Sequence, residues 1–264
     1  MSRALISSSG LTRPNFDRLY PNTTVSYDTS SGLGTVNQND PALGPQYSDN
    51  FDVSLEYYLK PAGILSVGYF RKNVTDFIAQ EIQEIESGAD NGFDGQYAGF
   101  NLVTTRNYGE AIIEGFEMNY SQQLRRLPRP FNTLTINANW TELKSEGYYG
   151  NSRTADELVE FIPRTTNAGA SWVLSRLTLR VQYNLQAAFL NSYNTLPSLR
   201  IYSTRNETWD AGALLNLNDK FGLYLDVTNL TNKEPSWYRG GDQSRVVMNE
   251  VFGTRIAVGV TGRF

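Results

Sequence analysis

Apolar and polar residues alternate with a period of two along most of the chain. In "FDVSLEYYLK", Phe51, Val53, Leu55, Tyr57 and Leu59 oppose Asp52, Ser54, Glu56, Tyr58 and Lys60. In "TLTINANWT", Leu134, Ile136, Ala138 and Trp140 oppose Thr133, Thr135, Asn137, Asn139 and Thr141. In "LTLRVQYNLQ", Leu177, Leu179, Val181, Tyr183 and Leu185 oppose Thr178, Arg180, Gln182, Asn184 and Gln186. The same pattern places Phe116, Met118 and Tyr120 on one face, and likewise Leu223, Leu225 and Val227. It recurs in "RIAVGVTGRF", where Ile256, Val258, Val260 and Phe264 share a parity. Successive strand side chains point to opposite faces, so each segment is a strand with one apolar and one polar face. About ten strands are predicted, near 3–12, 51–59, 64–78, 101–123, 131–144, 165–174, 177–188, 205–217, 221–231 and 249–264.

The connections alternate as strictly as the residues. Segments 61–63, 124–130, 175–176 and 218–220 are short; 13–50, 79–100, 145–164, 189–204 and 232–248 are long. An antiparallel up-and-down meander puts every second connection at the same end, giving one tight rim and one rim of large loops. A β-sandwich gives more even spacing and shorter strands. The expected fold class is therefore all-β, a wall of a transmembrane β-barrel with short periplasmic turns and long extracellular loops. On that layout the final strand runs from the loop side to the turn side and brings Phe264 to the periplasmic rim.

Charge placement fits a lipid-facing surface, where Arg or Lys near the midplane costs roughly 2–4 kcal/mol. The polar faces hold Asp52, Glu56, Glu117, Arg180, Asp226, Arg255 and Arg263. Two charges break the rule: Glu114 shares parity with Phe116, and Arg71 with Tyr69. Both lie toward the loop end, where shallow depth, snorkelling or a bulge accommodates them.

Composition narrows the chemistry. The chain of 264 residues is 40% hydrophobic, with a mean hydropathy of -0.41. No apolar run approaches the roughly eighteen residues of a membrane helix, which excludes helical membrane proteins only. Sixteen Tyr, four Trp and 22 Gly lean toward β-structure with aromatic borders. A formal charge of -4 gives no reason to expect nucleic acid. The absence of Cys removes disulfides and thiolate metal sites, and the absence of His removes the usual triads and most zinc sites. No catalytic, cofactor or metal residues are expected. "MSRALISSSGLTRPNF" has no signal-peptide apolar core, so any export address is expected upstream.

A sheet in a bilayer cannot keep open edges. The strands therefore either close into a ten-stranded barrel or belong to a larger one. Small polar residues on the inward faces suit a wide lumen filled by water or another domain.

At this point several segments resemble one family. "NDPALGPQYSDNFDVSLEYYLKPAGILSVGYFRKNVTDFI" (39–78) resembles a conserved block of TonB-dependent receptors. "NYGEAIIEGFEMNYSQQL" (107–124) resembles that family's N-x-G-x-x-x-x-x-G-x-E strand. "FIPRTTNAGASW" (161–172), "LDVTNLTNKEP" (225–235) and "VFGTRIAVGVTGRF" (251–264) resemble its last strands in order, and "SGLTRPNFDRLYP" (9–21) fits as a strand end and loop. Asp40 and Gly44 depart from the family pattern in the 39–45 loop. The resemblance implies that residues 1–264 are the C-terminal portion of a 22-stranded plugged barrel, its strands 13 to 22. The plug, the TonB box and the first strands are then absent, and Met1 is expected to be a fragment boundary or a miscalled start.

The resemblance also implies a function: outer-membrane uptake of a scarce ligand such as a siderophore, cobalamin or oligosaccharide. The implied partners are outer-membrane lipid, the barrel-assembly machinery, the plug and, through it, TonB. Ile256, Val258, Val260 and Phe264 resemble the C-terminal signal read by the assembly machinery. Tyr148, Tyr149, Tyr193, Trp237 and Arg239 in the long loops are candidate ligand contacts. Other motifs read as structure. Asn229 and Asn232 in "TNLTN" suit a turn. "ADNGFDG" (89–95) offers Asp90, Asn91 and Asp94 but no bidentate Glu, so a solvated loop is expected in place of a calcium site. "TADELVEF" (154–161) starts with a capping pair, Thr154 and Glu157, and predicts a helical turn or two. "RRLPR" (125–129) reads as a solvated turn near headgroups. Two alternatives remain: a complete ten-stranded outer-membrane barrel with an enzymatic or porin role, and a soluble β-rich binding module.

Overall fold

The structure is a computed structural model that describes residues 1–28, 33–149, 152–155, 158–194 and 196–262. In chain order the first elements are β1 (Ser2–Thr12), a helical turn (Phe16–Leu19), β2 (Thr23–Asp28), β3 (Leu33–Gln38), β4 (Gln46–Leu59) and β5 (Gly63–Thr75). There follow β6 (Ile78–Glu84), β7 (Asn101–Asn107), β8 (Glu110–Gln123), β9 (Leu134–Tyr149), β10 (Ser152–Ala155) and β11 (Arg164–Leu174). The last are β12 (Leu177–Gln186), β13 (Phe189–Ser192), β14 (Ile201–Ser203), β15 (Asn206–Asn216), β16 (Phe221–Thr228), β17 (Ser236–Arg239), β18 (Asp242–Asn249) and β19 (Arg255–Gly262).

Ten of these make one antiparallel wall in the order β1-β4-β5-β8-β9-β11-β12-β15-β16-β19, with β10 folded back on β9. They correspond one for one to the ten strands expected from alternation. Register keeps the apolar parities together: Val53 faces Tyr69, Tyr69 faces Phe116, Leu225 faces Val258 and Leu223 faces Val260. Among the described residues β1 and β19 each pair on one side only, so the wall is an open section of barrel.

The wall is a single layer, and its apolar face is uncovered. Phe51 is 41% exposed, Phe116 53% and Val258 73%. A soluble sheet buries such a face against another layer. Left in water, each of these side chains forgoes roughly 1.5–3 kcal/mol. Aromatic residues border the face at both ends. Toward the loops, the rings of Tyr183 and Trp209 lie 4.9 Å apart, and those of Tyr69 and Phe116, 5.1 Å apart, sit near mid-strand. At the turns, Phe131 stacks on Trp172 at 5.2 Å, and Trp172 Nε1 donates to the Pro130 carbonyl at 3.0 Å.

Four expectations need correction. The predicted strand 101–123 is two strands: β7 leaves the wall and joins a separate sheet, β2-β3-β7-β6, in which β3 and β7 run parallel. The break falls at Tyr108 and Gly109, where the Tyr108 amide donates to the Phe77 carbonyl (2.7 Å) and the Phe77 amide to the Gly109 carbonyl. Strand 64–78 stops at Thr75, because Asp76 takes a left-handed φ of 54° before β6 begins. Thr154 caps no helix; it lies in β10, paired with Gly147, because β9 runs past the wall and offers an edge. Its partner Glu157 lies outside the described residues. The last strand begins at Arg255, since Asn249 belongs to β18 and a second loop sheet, β13-β14-β17-β18.

Candidate functional site

At the loop end of β5 and β8 the polar face changes character. Phe70, Val74, Ala111 and Ile113 lie on the parity that elsewhere carries Asn, Glu and Ser, and two long connections fold over them. Leu158 (1% exposed), Leu190 and Tyr193 (both 3%) pack with Val74, Ala79, Tyr108, Ala111 and Ile113 in one cluster, flanked by Phe70, Phe77, Leu143 and Phe161. This seam is a principal buried core among the described residues, and segments outside the wall supply five of its eight buried residues.

Backbone bonds fix the seam. The Glu160 amide donates to the Leu190 carbonyl at 2.8 Å, tying the β10–β11 connection to β13. The Leu143 amide donates to the Pro163 carbonyl at 2.8 Å. Gly147 is required by packing: a Cβ there would sit 2.8 Å from Leu158 Cδ2 and 3.1 Å from the Ala111 Cβ. Burial raises the phenol pKa of Tyr108, and the nearby Glu81 carboxylate adds to the shift.

Beneath the seam lies a cavity of about 570 Å³. One wall is apolar, with Phe70, Phe77, Ile113, Leu143 and Phe161; the other carries Gln46, Asn50, Asp52 and Lys72. Asn50 Nδ2 donates to Ser8 Oγ at 3.3 Å, while its Oδ1 is buried without a partner. An apolar pocket with a few convergent polar groups is the usual form of a small-molecule site. A second cavity of about 490 Å³ lies lower on the polar face, around Arg180, Asp210, Asp226 and Arg255. There Arg180 Nη2 contacts Asp226 Oδ1 at 3.4 Å.

The expected contact residues divide. Tyr193 is inside the seam, with the Arg200 guanidinium 4.6 Å above its ring. Trp237 and Arg239 sit on β17, paired with Ser203 and Ile201, in the sheet that contains β13. Arg239 Nε is buried without a hydrogen-bond partner. Trp237 and Arg239 thus share one loop sheet, and Tyr193 follows directly on its strand β13, whereas Tyr148 stands exposed on the extension of β9. The Tyr149 side chain and Phe264 lie outside the described residues. Ile256, Val258 and Val260 line the apolar face of β19. Sequence did not single out Phe70, Phe77, Phe161 or Lys72. The available signal was the intrusion of Phe70, Val74, Ile113 and Leu143 onto the polar parity at the loop ends.

The remaining motifs resolve into turns. Asn91 organises "ADNGFDG": its Oδ1 accepts from the Phe93 and Gly95 amides at 2.9 and 3.0 Å, and its Nδ2 donates to two carbonyls. No cluster suited to a metal ion occurs among the described residues. Asn229 and Asn232 both take left-handed φ, 57° and 49°, at a turn, as "TNLTN" suggests.

The sequence matches the family model "TonB dependent receptor-like, beta-barrel" over residues 7–230. The chain belongs to this family. No curated relative matches it. Among solved structures it resembles a mutant of the ferric enterobactin receptor of Pseudomonas aeruginosa, with a TM-score of 0.64 at 16% identity, covering 99% of this chain and 38% of that one. The siderophore receptor PirA of Acinetobacter baumannii gives 0.64 at 16%, covering 99% and 39%. The copper transporter OprC gives 0.65 at 13%, covering 98% and 35%. At these identities the likeness is one of fold. The TonB-dependent receptor chain spans well under half the length of these structures.

Proposed function

We propose that this chain is the C-terminal part of the barrel of an outer-membrane uptake receptor that takes up a small, scarce ligand with energy delivered through TonB. On this reading the whole barrel has 22 strands, and the plug and remaining strands complete the lumen. The protein is a transporter and not an enzyme.

The observation that carries the reading is the uncovered apolar face of a ten-stranded wall whose polar face is roofed by folded loops. Hydrocarbon takes up the first, and a ligand vestibule under the loops accounts for the second. The open edges at β1 and β19 favour a section of a larger barrel over a complete ten-stranded one. The apolar and charged walls beneath the seam suit an amphipathic cargo such as a siderophore. The described part of the C-terminal strand, Ile256, Val258 and Val260, supports recognition by the barrel-assembly machinery.

The test is uptake of radiolabelled ferric siderophores, cobalamin and oligosaccharides by cells that rely on this receptor, with and without TonB. TonB-dependent accumulation of one of them is expected. Uptake of none, with the protein correctly inserted, would overturn the proposal.

A further inference from the structure

A third cavity, of about 650 Å³, opens at the junction of the apolar face and the loops. Its lining includes Arg205, Glu207, Trp209, Lys233, Ser236 and Gln243. Glu207 and Trp209 belong to the apolar parity of β15, opposite Leu185 and Tyr183. Trp209 packs on Tyr183 at the upper aromatic border, so the cavity sits on the outer side of the wall, just above the apolar band. It is separate from the vestibule beneath the seam.

Its charge suits an anionic ligand. Two other outward cations on this border are matched: Arg71 with Glu114 at 3.2 Å, and Arg164 with Glu142 at 3.5 Å. Here Arg205 pairs with Glu207, while among the described residues no salt bridge engages Lys233, so the cavity lining carries a surplus positive charge. Lys233 springs from a pinned backbone: its amide donates to Asn229 Oδ1 at 2.8 Å and its carbonyl accepts from Asn229 Nδ2 at 3.0 Å. An indole on the apolar parity, two cations of which one is unpaired, and hydroxyl and amide groups in one lining match an amphiphile with an anionic head.

We propose that this cavity holds the phosphate-bearing headgroup of a lipid in the loop-side leaflet, with Lys233 and Arg205 contacting the phosphate and Trp209 flanking the chains. The assignment rests on the membrane orientation proposed above. The site anchors lipid to the barrel and is independent of the transported ligand.

Native mass spectrometry of the full protein extracted in mild detergent tests it, with lipid A and its dephosphorylated form as probes. Wild type is expected to retain lipid A, and Lys233→Gln with Arg205→Gln to weaken retention on the order of tenfold or more. Lys233→Arg is expected to keep retention at the wild-type level, and Arg71→Gln, the same loss of charge as Lys233→Gln alone, to leave it unchanged. Should the double variant not fold, Lys233→Gln alone carries the comparison, scored only on protein with the wild-type heat-modifiable gel shift. Equal retention of the dephosphorylated lipid, or no effect of the variants, would overturn the site. Displacement of lipid A by millimolar inorganic phosphate would also overturn it, in favour of a free-phosphate site. Partition of the protein into detergent-free buffer would instead sink the membrane reading itself.

Discussion

Arg71 and Glu114 are cross-strand partners on the apolar face, with Nη1 and Oε2 3.2 Å apart. The Tyr69 hydroxyl donates to the same Glu114 oxygen at 2.9 Å. These two charges on the apolar parity therefore cancel each other toward the loop side, as Arg164 and Glu142 do nearby. Removing one leaves the other without its counter-charge. Arg71→Leu or Glu114→Leu is expected to destabilise the folded wall by about 1 kcal/mol, with the double variant recovering most of the loss. Urea unfolding in lipid vesicles, arranged as a double-mutant cycle, measures the coupling; additive losses would refute it.

The seam makes a local prediction. Gly147→Val places a side chain where Leu158 Cδ2 and the Ala111 Cβ already stand. Overpacking of this kind costs about 1–3 kcal/mol, and Leu158→Ala about 2–5 kcal/mol through the cavity it leaves. The wall strands do not depend on Leu158, so the effect should be confined to the loops. Limited proteolysis is expected to cut the 189–204 segment faster in both variants while the heat-modifiable gel shift stays intact. Loss of that shift in both would show that the seam holds up the wall.

Tyr108 predicts an alkaline limit for the same seam. Burial and the Glu81 carboxylate favour its neutral phenol, so its folded pKa lies above the ordinary value. A raised folded pKa contributes stability that is whole below the unfolded pKa of about 10 and lost as pH climbs above it. Proteolysis of the loops is expected to be flat up to about pH 9 and to accelerate beyond about pH 10. Tyr108→Phe, which cannot ionise, should remove part of that rise. An unchanged pH profile in the variant would exclude Tyr108 as its source.

The ten wall strands were legible because one physical requirement, an apolar face for hydrocarbon, acts on every second residue. Loop sheets face no such uniform solvent. β14 is three residues long and β17 four, too short to show a period, and they meet across some thirty-five positions of sequence. β7 was joined to β8 because "NLVTTRN" and "EAIIEGFEMNYSQQ" both alternate; only the turn at Tyr108 and Gly109 separates them. Thr154 and Glu157 satisfied a helical spacing, but the free edge of β9 captured Thr154 first. The candidate site was legible in its region and less so in its residues. Aromatic residues mark the long loops, but whether a tyrosine stays exposed, like Tyr148, or packs into the seam, like Tyr193, depends on distant contacts.

Asn229 allows two contributions to a turn to be separated. Its φ is 57°, its Oδ1 accepts from the Lys233 amide at 2.8 Å, and its Nδ2 donates to the Lys233 and Gly253 carbonyls at 3.0 and 3.2 Å. Its own amide donates to Asp210 Oδ1 at 2.8 Å, tying the turn to β15. Asn229→Ala loses the side-chain bonds and strains the left-handed backbone, together roughly 1–3 kcal/mol. Asn229→Gly loses the same bonds but meets no strain. Hydrogen exchange at the Lys233 amide should therefore accelerate in both, by roughly tenfold or more in Asn229→Ala and less in Asn229→Gly. Equal acceleration would assign the whole effect to the side-chain bonds, and unchanged exchange in both would mean that the turn is held by Asp210 alone.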